Sequence, residues 1–172
     1  TRVPDIGDTL AMQQGAYFEN VRANLAILIA YLTNRVRPKQ RQVSEITDFL
    51  QANLRRATLR QPERERDVQD TVEQLLIGRG LEKGLDYDRE VGRVKVSSKE
   101  VIPDFILPLL KTAIEVKLVK EPSATGRVVD EINADIRAYG LQYDSVVFVV
   151  YDSAGVIRDE AEFRRDLEDA DG

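Results

Sequence analysis

Apolar residues recur at helical spacing over the first part of this chain, alternate with polar ones in the middle, and run together near the end. Between residues 16 and 36, Tyr17, Val21, Leu25, Leu28 or Ile29, and Leu32 share one helix face. The stretch Leu25 to Leu32 is apolar on nearly all sides, which predicts a helix buried among others or against a partner chain. Asp8 suits the cap of a short helix beginning at Thr9. Arg37-Pro38 predicts the end of the longer helix, because a residue before proline avoids the α region. A second helix is expected from Gln42 to Leu59, with Ser44 as N-cap and Ile46, Phe49, Leu50 and Leu54 as its apolar stripe. After Gln61-Pro62 a third is expected from Glu63 to Arg79, burying Val68, Val72, Leu75 and Leu76. Its opening acids Glu63, Glu65 and Asp67 suit the positive end of the helix dipole, and Gly78 and Gly80 stop it.

From Leu85 to Ser98 the pattern is strand with turns, Arg93 and Lys95 alternating with Val94 and Val96. Two apolar runs follow, Val101–Leu110 and Thr112–Val119, close enough to pair as a hairpin with Pro108 opening the turn. Pro103 predicts an edge, a strand start or a bulge. Val128 to Tyr139 is amphipathic, with Val129, Ile132, Ile136 and Tyr139 on one side. The continuous run Ser145–Tyr151 predicts a strand buried on both faces. Strand, helix and strand in that order imply a right-handed parallel crossover. A charged helix is expected from Asp159 to Leu167, packed through Phe163 and Leu167. The fold class is α+β or α/β: an all-α module over residues 1–60, then a domain over 61–172 that runs α-β-β-β-α-β with a central mixed sheet.

The hairpin carries acid where a buried strand should be apolar. In extended chain Ile114, Val116 and Leu118 take one face, and Ala113, Glu115, Lys117 and Val119 the other. Glu115 and Lys117 therefore stand side by side, and Asp104 can reach them from the partner strand. Two carboxylates and an ammonium on an apolar sheet are costly unless compensated, and a divalent cation compensates them. The chain has no cysteine and no histidine, which excludes disulfides, Cys/His zinc sites, thiol nucleophiles and histidine general bases. Catalysis must then rest on carboxylates, Lys, Arg, Tyr, hydroxyls and a hard metal. Net charge is −5. Residues 1–59 nevertheless carry eight basic and five acidic residues, with basic clusters at Arg35, Arg37, Lys39 and Arg41 and at Arg55, Arg56 and Arg60. Such clusters meet phosphates or end as solvated helix termini. No membrane-length apolar run and no signal peptide are visible, so a cytoplasmic protein is expected. The missing initiator Met fits trimming or absent upstream domains.

Pro103-Asp104, ten intervening residues, and Glu115-Val116-Lys117 resemble the signature of the PD-(D/E)XK nuclease superfamily, the restriction-endonuclease-like fold. The resemblance covers about residues 63–152. It implies that Asp104 and Glu115 bind Mg²⁺, with Mn²⁺ able to substitute, that the Val116 carbonyl joins them, and that Lys117 positions or activates the attacking water. It also implies an extra acid from the opening helix, a place that Glu65 fits first and Glu73 second, although either is equally a helix-start acid favoured by the dipole. Taken singly, Asp104 reads as a turn cap and Glu115 with Lys117 as a solvent-facing pair; together, at hairpin spacing before a crossover, they read as a site. The expected function is a Mg²⁺-dependent endonuclease that hydrolyses DNA phosphodiester bonds in a restriction or defence role. The alternatives are an inactive nuclease-fold module that binds nucleic acid or a protein, and an RNase of the same fold. A homo-oligomer through the N-terminal helices is the expected assembly.

Overall fold

The computed structural model describes residues 6–96, 99–158 and 163. The chain divides into two units, 1–42 and 43–172. A single helix assignment, α1, covers Ile6–Ala57 with Pro38 inside it, where the sequence predicts a break at Arg37-Pro38 and separate helices on either side. An internal proline removes one backbone hydrogen bond and crowds the preceding turn, a cost that good helix formers on both sides can absorb. Within the first unit, Phe18, Val21, Leu25, Leu28 and Leu32 are all exposed.

The second unit begins with the end of α1 and continues through α2 (Glu65–Gly78), β1 (Asp88–Arg89), β2 (Val94–Val96), β3 (Lys99–Val101), β4 (Phe105–Leu107), β5 (Thr112–Val119), α3 (Ala124–Tyr139) and β6 (Ser145–Asp152). The main sheet has the order β1-β4-β5-β6, with β4 antiparallel to both neighbours and β5 parallel to β6. It is therefore a mixed sheet, and α2-β1-β4-β5-α3-β6 reproduces the expected order. Where strand with turns is expected from Leu85 onward, β1 is two residues long and β2 pairs with β3 in a separate ribbon. A 3₁₀ turn over Pro108–Leu110 joins β4 to β5, closed by Lys111 in the left-handed region at φ 48°.

Alternation along β5 divides the core. Ile114, Val116 and Leu118 face Ile46, Leu50 and Leu54 of α1 and Val68, Val72 and Leu76 of α2. On the other face lies α3: Val128 and Ile132 pack with Val119, and Ala138 and Tyr139 with Ala113. Val128 is thus buried in α3, and Val129, expected in that stripe, is only half-buried. Every residue of β5 is buried, as a central strand under two helical layers must be. The strand β6, by contrast, is half-buried along its whole length. Its apolar run does not mark burial on both faces, because β6 is the last strand in the sheet among the described residues. The helix expected over 159–167 lies outside the described residues apart from Phe163, which packs against the Val119–Ile132 cluster.

Candidate active site at the β4–β5 fork

The site arises where a ladder stops. The strands β4 and β5 pair from Leu107↔Thr112 to Phe105↔Ile114, and no further. The N–H and C=O of one strand residue point to the same neighbour, so the backbone groups of Val116 and Leu118, in phase with Ile114, face the side that β4 has vacated. Side chains take the place of the missing strand. The Val116 N–H donates to Asp104 Oδ2 at 2.7 Å, and the Leu118 N–H to Glu65 Oε1 at 3.4 Å. Asp104 and Glu65 therefore occupy the same open flank of β5, two residues apart along it, or about 7 Å. The Glu65 side chain is exposed, whereas Asp104 is half-buried.

Glu115 and Lys117 stand on the α3 face of β5, 9 % and 7 % exposed. Their side chains meet at 3.1 Å, Lys117 Nζ donating to Glu115 Oε1. The Asp104 backbone N–H donates to Glu115 Oε2 at 3.4 Å, which brings the two acids to the same end of the fork. Asp104 is steered from the other side by α2: Gln69 Nε2 donates to its Oδ1 at 2.7 Å, and Arg89 Nη2 donates to Gln69 Oε1 at 3.3 Å. Arg89 is itself fixed by Asp70 at 2.7 Å and Glu73 at 2.6 Å, with its guanidinium over the Phe105 ring. Glu73 is thus spent on Arg89 and on Lys83, and the Lys83 hydrogen bond holds its carboxyl below the ordinary range. Glu73 does not join Asp104 and Glu115.

Charge at the fork is out of balance. Burial lifts the Asp104 carboxyl above its ordinary range, against the Val116 N–H that favours ionisation. Burial, then the Asp104 and Asp135 charges, push Glu115 up to about 7 despite the neighbouring ammonium. Burial opposes the charge on Lys117, but the Asp135 and Glu115 carboxylates outweigh it and hold the ammonium above the ordinary lysine range. A lysine with a lowered pKa, as partial burial alone predicts, is therefore not what surrounds this position. Lys117 lies 2.9 Å from Asp135 and 3.7 Å from Glu131, so one ammonium faces three carboxylates, with Asp104 close by. Such an excess of buried negative charge favours protons or a cation.

The oxygen set suits a hard divalent ion: two carboxylates and the Val116 carbonyl, which faces the vacated side. Among the described residues no group of three or more acids converges as a ready-made metal cage. A family model described as REase_DpnII-MboI matches residues 34–172, more than three quarters of the chain. The chain belongs to the DpnII-MboI restriction endonuclease family. That family lies within the PD-(D/E)XK superfamily, so the resemblance carried by Pro103-Asp104 and Glu115-Val116-Lys117 extends over residues 34–172. A DpnII-MboI protein is a DNA-cleaving nuclease of the restriction type, and enzymes of this kind typically use a divalent metal. No curated protein and no solved structure gives a significant match. No helix among the described residues is long and apolar enough to cross a membrane.

Four side chains at this DpnII-MboI site escape a motif reading: Gln69, Glu131, Asp135 and Tyr139. Gln69 stands one helical turn beyond Glu65 on α2. Asp135 lies three residues after Ile132 and four before Tyr139, both buried, so helical spacing puts this acid on the packed side of α3. An acid in that phase is the signal by which the sequence reading, which passed over Asp135, could have found it.

Proposed function

We propose that this DpnII-MboI protein hydrolyses DNA phosphodiesters at the β4–β5 fork in a Mg²⁺-dependent reaction, in a restriction or defence role. The observation that carries this reading is the meeting of Asp104, Glu115 and Lys117 where β4 stops pairing with β5. Asp104, Glu115 and the Val116 carbonyl would hold Mg²⁺ or Mn²⁺, with Glu65, on the same flank of β5, as the further acid from the opening helix. The bound ion supplies positive charge to the scissile phosphate and acidity to water. Lys117, kept charged by its acids, is a hydrogen-bond donor that orients the water and neutralises charge gathering on phosphorus, not the base that takes the proton. The water oxygen bonds to phosphorus as the bond to the leaving sugar oxygen breaks; the attacking water gives up one proton to solvent, and the leaving oxygen takes one from solvent. DNA rather than RNA as the substrate follows from the family match.

Plasmid and single-strand cleavage with Mg²⁺ or Mn²⁺ tests this. The parent is expected to cut, EDTA to stop it, and Asp104→Ala to lower the rate by about 10³-fold, within the range for removing a group that organises proton transfer. Cutting that survives either treatment removes the site; an intact plasmid with the parent, and no rise in melting temperature on adding metal, leaves a binding module of the same fold.

We also propose that two copies associate through the first unit. Phe18, Val21, Leu25, Leu28 and Leu32 are spaced three and four residues apart, a two-heptad seam, and all five are exposed in the single chain. Sedimentation is expected to give a dimer, and Leu25→Glu with Leu28→Glu a monomer. A monomeric parent at micromolar concentration removes the seam as an interface.

A further inference from the structure

The helix α3 presents two polar groups to the buried face of β5. Tyr139 is 2 % exposed, and its hydroxyl donates to Glu115 Oε2 at 3.0 Å. One turn earlier Asp135 places Oδ2 at 2.9 Å from Lys117 Nζ. That oxygen is fully buried and has no hydrogen bond apart from this ion pair. Glu131, a further turn back, reaches the same ammonium at 3.7 Å but is only half-buried. A lysine has four rotatable bonds, and its ammonium wanders unless held. The strand fixes only the Cα of Lys117; the head is placed by Glu115 beside it and by Asp135 opposite.

Tyr139 does the corresponding work on Glu115. Glu115 Oε1 receives Lys117, and Oε2 receives both the Tyr139 hydroxyl and the Asp104 N–H. With both oxygens directed, the carboxylate plane is set before any ion or substrate arrives. The helix itself is anchored by Val128 and Ile132, both fully or nearly fully buried, so the two polar groups ride on a rigid element.

We propose that Asp135 and Tyr139 are positioning residues, Asp135 holding the Lys117 ammonium and Tyr139 the Glu115 carboxylate in the geometry the cleavage reaction uses. The proposal rests on the nuclease reading of the fork and adds to it a second layer drawn from α3. Neither residue touches the phosphate; each acts through its partner.

The full chain is tested with Asp135→Asn and Tyr139→Phe, each nearly isosteric. With plasmid DNA and Mn²⁺, each variant is expected to lower kcat by about 10- to 100-fold, the usual effect of losing a group that orients a ligand, with KM for DNA within about twofold. Asp135→Glu is expected to recover part of the rate. In the Lys117→Met background Asp135→Asn is expected to cost nothing more and to raise the melting temperature, the reverse of its effect in the parent. A second measurement needs no cleavage and no metal. In EDTA the Lys117 ammonium is expected to give a ¹H–¹⁵N resonance protected from solvent exchange, and Asp135→Asn to abolish it. Rates within twofold of the parent for both variants overturn the proposal. So does an equal loss from Asp135→Asn with and without Lys117, or an ammonium signal that Asp135→Asn leaves unchanged. A parent that cuts nothing defeats the nuclease reading alone, and the ammonium signal then decides the positioning claim.

Discussion

Lys117→Met is expected to destabilise the metal-free protein by about 3–5 kcal/mol at pH 8, the usual consequence of removing one partner from a buried ion pair. The ammonium sits in contact with Glu115, Asp135 and Glu131, and its head group is almost wholly buried. A methionine fills the space but leaves those acids facing one another. The loss should shrink at pH 5, where Glu115, already pushed up to about 7, carries its proton and the repulsion is relieved. Urea unfolding in EDTA at pH 5 and pH 8, followed by circular dichroism, measures both. An equal loss at the two pH values means that Lys117 contributes packing and not charge.

Glu115→Gln is expected to act in the opposite direction on stability while abolishing cleavage. A carboxyl whose folded pKa is raised binds its proton more tightly in the native state than in the unfolded one. Below about 4.5 both states are protonated and there is no penalty. Between that value and about 7 the unfolded chain ionises first, so stability falls as pH rises, and above 7 the penalty is complete. The gap corresponds to about 3–4 kcal/mol. Gln cannot ionise, so the variant should unfold at higher urea than the parent at pH 8 and at the same urea at pH 4. Saturating Mg²⁺ should narrow the difference at pH 8, because the ion stabilises the parent more than a variant that has lost one of the two carboxylate ligands. A variant less stable than the parent at pH 8 in EDTA would show that the Lys117 and Tyr139 contacts to this side chain outweigh the crowding of charge. The two substitutions together separate the ammonium, which holds the site, from the carboxylate, which strains it in the absence of a cation.

Much of this arrangement was legible in the residues. A period of two along Thr112–Val119 places Glu115 beside Lys117, and a period of 3.6 along α2 identifies Val68, Val72 and Leu76 as its buried stripe. Pro-Asp at hairpin distance puts Asp104 across from them. What periodicity does not contain is the stopping point of a ladder. That β4 pairs for only three residues, leaving the Val116 and Leu118 N–H groups to Asp104 and Glu65, depends on where Pro103 and the β2–β3 ribbon send the chain. The contribution of α3 was obscured for a different reason. Asp135 reads as an ordinary helix-surface acid until the helix is set on β5, and only the phase of its buried neighbours reveals it. The strand β6 shows the limit of composition: an unbroken apolar run gives the preference for burial, not the number of neighbours a strand receives. Pro38 shows the limit of a local rule, since a preference against helix before proline is a cost and not a prohibition.

The turn at Pro108–Lys111 reaches further than its size suggests. Three paired positions and a left-handed Lys111 set how far β5 slides along β4. Every group at the fork is counted from that point, backbone as well as side chain. A slip of one residue would exchange the two faces of β5, sending Glu115 and Lys117 into the α2 layer and bringing Val116 to α3. A hairpin misaligned by one residue therefore cannot assemble the proposed site, so that site exists only once the correct register is reached.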